Sequence, residues 1–167
     1  MGILGKTATG LGAAALGGLA YASLVERNAF VLRAASAPVL PPGARPLRIL
    51  QVTDIHLMPG QRRKLAWIRD LARLEPDMVV NTGDNLSHAD AVGPLLECLT
   101  PFLGLPGAFV LGSNDYWAPQ PKNPVNYLRK RVHRPTAPRL PTEALVAGLR
   151  AQGWVDLTNA RTPFHVR

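Results

Sequence analysis

One cysteine in 167 residues, Cys98, excludes a disulfide within the chain and a cysteine-ligated zinc, both of which need thiols in sets. It sits in an apolar stretch and reads as a buried structural thiol. Histidine is also sparse: of four, only His133 and His165 follow Gly112. The most basic run, Arg129-Lys130-Arg131-Val132-His133-Arg134, lacks interleaved aromatics and has no reading helix beside it. Nucleic acid is therefore a poor partner for it, and a solvated basic flap is the plainer reading. Charge is missing altogether from Thr7 to Val25.

What is present is a strong but uneven basic excess. The net charge of +8 divides into +3 over residues 1–47, −2 over 48–120 and +7 over 121–167. The acidic middle third is where a cation site belongs. With 47% hydrophobic residues the chain can bury one core, and its length gives no reason to posit two.

The uncharged segment approaches the roughly 20 residues that span a bilayer as a helix. It is mostly Ala and Gly, and Gly10, Gly12, Gly17 and Gly18 make insertion marginal. Residues 1–26 are read as a hydrophobic anchor or signal-like segment. Ala20-Tyr21-Ala22 and Ala35-Ser36-Ala37 both fit small-x-small cleavage sites, so secretion after cleavage stays open, as does a cytoplasmic location. The expected localisation is membrane association through this one segment, with the side unassigned. Residues 27–46, rich in proline from Pro38 to Pro46, form a linker to a domain over 47–167.

Within that domain, 47–52 predicts a strand and 62–74 an amphipathic helix with Leu65, Ile68, Leu71 and Ala72 on one face. Pro76-Asp77 ends the helix, 78–80 is a second strand, 91–99 a second helix and 108–111 a third strand. Six prolines between Ala118 and Pro141 mark a basic loop. Thr142 is expected to cap a helix through Arg150, followed by a strand at 154–157, and Phe164-His165-Val166 could begin another. Alternating strands and helices with short links imply an α/β fold, a parallel sheet with crossover helices.

Directly after the three apolar strands come Asp54-Ile55-His56, Gly83-Asp84-Asn85 and Gly112-Ser113-Asn114-Asp115. At an extended strand end, Asp54 and His56 would point the same way and Ile55 into the core. Asp84, one βα unit later, could bridge two ions ~3.5–4 Å apart. Each cluster alone has an ordinary explanation: Asp54 capping a loop, Gly83-Asp84 making a turn, Asn114 in a left-handed position. All three in order, each behind a strand, make a cation site the better reading.

Val-Thr-Asp-Ile-His-Leu (52–57), Asn-Thr-Gly-Asp-Asn (81–85) and Val-Leu-Gly-Ser-Asn-Asp-Tyr-Trp (110–117) resemble the calcineurin-like metallophosphoesterase family. Within it they look like the membrane-linked bacterial branch that includes UDP-diacylglucosamine pyrophosphatase-like enzymes. The resemblance implies an αββα sandwich and a pair of Mn, Fe or Zn ions. It also implies hydrolysis of phosphate esters or anhydrides by a metal-bound hydroxide. Asp54 and His56 would bind one ion and Asp84 would bridge both. The family's Gly-Asn-His-Asp is Gly112-Ser113-Asn114-Asp115 here, which puts Asn114 at the position of a catalytic histidine. It leaves Asn114, or alternatively Ser113, as ligand of the second ion. Asparagine cannot supply a proton at neutral pH. The family's later histidine motifs have no counterpart after Gly112, so the chain reads as the first half of the fold, a fragment.

A phosphorylated small molecule or a lipid-linked phosphate is the implied substrate, with Asn85, Arg129, Lys130 and Arg131 as substrate contacts. Tyr116 and Trp117 either line the substrate path or pack against the basic loop. The alternative to an enzyme is a non-catalytic metal-binding or membrane-associated interaction module. Oligomeric state is not legible.

Overall fold

Aliphatic residues in four short segments build the sheet: Ile49–Val52 (β1), Met78–Asn81 (β2), Gly107–Phe109 (β3) and Val155–Asp156 (β4). The structure, a computed structural model, describes residues 3–120 and 137–163. All pairings are parallel and the strands lie in chain order, with Ile49 opposite Met78, Val79 opposite Gly107 and Phe109 opposite Asp156. Three crossovers in one direction, each right-handed by general rule, send every connecting helix to the same face. Leu50, Val52, Val79, Phe109 and Trp154 form that face. They share a core with Ile68, Leu71, Leu95, Leu99, Phe102, Leu145 and Leu149. The register puts Ile49, Met78, Val80, Ala108 and Val155 on the opposite face, and none of them belongs to this core. The chain is thus an α/β fold of the expected kind, with one parallel four-stranded sheet and flanking helices among its described residues.

The helices are α2 (Arg62–Asp70), α3 (Val92–Cys98) and α4 (Thr142–Ala151). The helix expected over 62–74 tightens to 3₁₀ geometry at Leu71–Leu74, because Glu75 takes a left-handed turn (φ 49°) just ahead of Pro76. Pro94 is tolerated in the first turn of α3, where its missing N–H has no helical partner to lose. Thr142 does not cap α4. Pro141 holds the cap position, while the Thr142 hydroxyl donates to the carbonyl of Asp115 at 2.6 Å. The strand expected at 108–111 ends at Phe109, and Val110 to Gly112 turn toward the third loop.

Two compact units are present, Met1–Val39 and Leu40–Arg167. The first is a helix, α1 (Ile3–Leu24), followed by a single 3₁₀ turn at Glu26–Asn28. Among the described residues no helix is long and apolar enough to cross a membrane. Gly10, Gly12, Gly17 and Gly18 dilute the hydropathy of α1.

Candidate metal centre

Beyond the ends of β1 and β2 the backbone stays paired: Asp54 N–H donates to Gly83 O (3.0 Å), His56 N–H to Asp84 O (3.0 Å) and Leu57 N–H to Asn85 O (2.8 Å). Ile55 is buried as expected, and the Lys64 ammonium of α2 donates to its carbonyl at 2.6 Å. The first loop is therefore tied to the second on one side and to α2 on the other. The backbone is not extended, however. Asp54 (φ 50°), His56 (φ 44°) and Asp84 (φ 52°) all lie in the left-handed region. Side chains with a Cβ reach that region at a cost of roughly 1–2 kcal/mol each. Only two other described non-glycine residues do so, Glu75 and Asn159. The strain is concentrated on the candidate ligands, and a turn rather than strand alternation aims them.

Glycines bring the third loop close. A Cβ on Gly83 would strike the backbone nitrogen of Gly112, and one on Gly112 would strike the carboxylate of Asp84. Gly83 also has φ 88°, so no other residue fits there without displacing the neighbouring loop.

The outcome is that one oxygen of Asp54, one ring nitrogen of His56 and one oxygen of Asp84 all lie within 4.8 Å of one another. His56 Nε2 is 3.8 Å from Asp54 Oδ1. Two donors bound ~2.1 Å from one ion stand at most ~4.2 Å apart, so this pair is already spaced to share a cation. Two carboxylates held side by side repel, which a cation between them relieves. Carboxylate and imidazole suit Mn, Fe or Zn, and the donor set fits such an ion.

Each ligand has a partner that orients it. The Thr53 hydroxyl donates to Asp54 Oδ2 at 2.6 Å. Asn114 N–H donates to Asp84 Oδ1 at 2.8 Å, and the Asn114 amide meets His56 Nδ1 at 3.3 Å. Asp115 has no role assigned by the motif pattern alone. It is fully buried and its carboxylate accepts from the N–H groups of Gly112 (2.9 Å), Asp84 (3.0 Å) and Asn85 (2.8 Å). Burial pushes this carboxyl above the usual carboxylate range, while the same N–H donors pull it back. It ties the second loop to the third. The only signal for it in the sequence is an acid following Gly-Ser-Asn.

Asn85 is placed otherwise than expected. It is fully buried, and its amide is bonded to Asn81 (2.7 and 3.1 Å) and Asp115 (3.3 Å), so it braces the loop from inside and has no surface for a substrate. Ser113 is exposed. Arg129, Lys130, Arg131, His133 and the segment 164–166 lie outside the described residues. The base of the basic loop is described: Ala118 N–H donates to Pro138 O and Leu140 N–H to Tyr116 O, both at 2.9 Å, and the Arg139 guanidinium lies 4.8 Å over the Trp117 ring. Tyr116, Trp117, Arg139, Thr142 and Glu143 line a cleft of about 560 Å³ there.

The family model described as calcineurin-like phosphoesterase matches residues 47–161, well over half of the chain. The chain belongs to the calcineurin-like phosphoesterase family. Members typically use a pair of divalent metal ions, and Asp54, His56 and Asp84 form the candidate ligand group here. No curated protein and no solved structure matches the chain.

Proposed function

We propose that the protein hydrolyses a phosphate ester or anhydride with divalent cations held by Asp54, His56 and Asp84. The convergence of these three donors on strained backbone carries the reading. A cation bound there would polarise the phosphoryl oxygens and acidify a water. The protein's own residues do the rest. Thr53 fixes the Asp54 carboxylate, Asn114 N–H fixes that of Asp84, and the buried Asp115 holds the two loops at a constant separation. Asn114 has no proton to give a leaving group at neutral pH, so substrates whose leaving groups depart unprotonated, such as aryl phosphodiesters, would turn over best.

For the substrate we propose a lipid-linked phosphate, as in the membrane-linked branch of the family. Leu11, Leu16, Leu19 and Leu24 of α1 are exposed, which supports contact with a membrane surface and a lipid-linked phosphate as substrate. The test is hydrolysis of an aryl phosphodiester with added Mn²⁺, against the Asp84→Asn variant. Turnover that disappears in the variant supports the proposal, and equal rates in both proteins overturn it. A cation-binding module without catalysis is the second reading, favoured by the missing proton donor at Asn114. It gains if Mn²⁺ binds and no phosphate ester is cleaved.

A further inference from the structure

Asn114 touches two of the three candidate ligands, through its backbone N–H to Asp84 Oδ1 and through its side-chain amide to His56 Nδ1. The second contact has a consequence for which ring nitrogen can bind a cation. His56 Nε2 is the nitrogen that faces Asp54, at 3.8 Å. To bind an ion it must carry a lone pair, which in a neutral imidazole requires the proton to sit on Nδ1. An amide NH₂ donating to Nδ1 would enforce the opposite tautomer. A half-turn of the amide about its last torsion exchanges oxygen for nitrogen in the same volume and makes the carbonyl oxygen the acceptor of Nδ1–H.

We propose that Asn114 is a positioning residue for His56: its amide oxygen accepts the Nδ1 proton and thereby presents Nε2 to the cation. Imidazole ligands are commonly held this way by an oxygen on the far nitrogen. The assignment rests on the reading of Asp54, His56 and Asp84 as cation ligands and goes beyond it. It also removes Asn114 from the ligand set of a second ion, because the same oxygen cannot serve both, and it accounts for the asparagine without a proton-transfer role. Thr53 on Asp54 and Asn114 on the other two then complete one orienting contact per ligand.

The test reads the His56 tautomer by ¹⁵N NMR in the full chain, first without metal, then measures Mn²⁺ affinity and stoichiometry by calorimetry. The wild type is expected to show His56 protonated on Nδ1. Asn114→Ala should shift the ring toward the Nε2–H form and weaken Mn²⁺ binding 10–100-fold, with the number of ions unchanged. Asn114→Asp retains an oxygen acceptor and should restore the Nδ1–H form. A residue that only stabilised the loop would lower the melting temperature without changing the tautomer. An unchanged tautomer in Asn114→Ala, or loss of one bound ion instead of weaker binding, would overturn the proposal. Because the first readout needs neither metal nor turnover, an Asn114-dependent tautomer in a protein that cleaves no phosphate ester would sustain this inference while removing the catalytic reading.

Discussion

The helix-covered face of the sheet and its carboxyl-end edge follow opposite rules. On the face, Val79, Leu95, Leu99, Phe102, Leu145 and Leu149 are buried side chains in ordinary helix and strand geometry, and every contact favours folding. At the edge, a few residues away, three polar side chains occupy left-handed backbone and two carboxylates face each other. The first region stabilises the chain; the second spends part of that stability on holding donors apart from where they would relax. Strain that the surrounding structure must over-determine is characteristic of sites that bind or react.

Variants can separate the two regions. Phe102→Ala, in the core, should cost about 3–5 kcal/mol in denaturant unfolding while leaving Mn²⁺ affinity of the folded protein unchanged. Asp84→Asn should do the reverse. It keeps an oxygen to accept from Asn114 N–H and suits left-handed backbone, so melting temperature holds or rises, whereas Mn²⁺ affinity measured by calorimetry falls at least ~100-fold. Gly112→Ala tests the join between the regions, since its Cβ would meet the Asp84 carboxylate. About 1–3 kcal/mol of stability and the cation site should be lost together.

Asp156 gives the smallest and cleanest contrast, being a charged side chain that favours folding. Partial burial raises its pKa, but the Thr158 N–H and hydroxyl and the Arg150 guanidinium outweigh this and hold the carboxyl below its usual range. Its contribution is therefore fully present above the unfolded value of ~4 and fades as pH falls through the depressed folded value. Asp156→Asn should cost no more than about 1 kcal/mol at pH 7, and the difference from wild type should vanish in acid. Cys98 should resist alkylation at pH 8 until the chain unfolds, because burial pushes its thiol up to about 12.

How much of this was legible beforehand differs between the same two regions. Strand order and crossovers were readable because runs such as Leu47 to Val52 and the spacing of Leu65, Ile68 and Leu71 report burial locally. Asp54, His56 and Asp84 were readable because each directly follows such a run. Their backbone was not, since nothing distinguishes an aspartate in a left-handed turn from one in a strand until the neighbouring loop is in place. The role of Asp115 and the burial of Asn85, expected at the substrate, were not readable for a related reason. The N–H groups that surround Asp115 come from Asp84 and Asn85, some 30 residues away, and the closure that buries Asn85 depends on glycines at 83 and 112. Thr142 matched a capping pattern, but the Asp115 carbonyl claimed its hydroxyl.

The most direct test is anomalous diffraction from crystals of the chain soaked in Mn²⁺. An anomalous peak about 2.1–2.2 Å from an oxygen of Asp54, Nε2 of His56 and an oxygen of Asp84 is the predicted result. Peaks only elsewhere on the surface, with those three side chains turned apart, would contradict it.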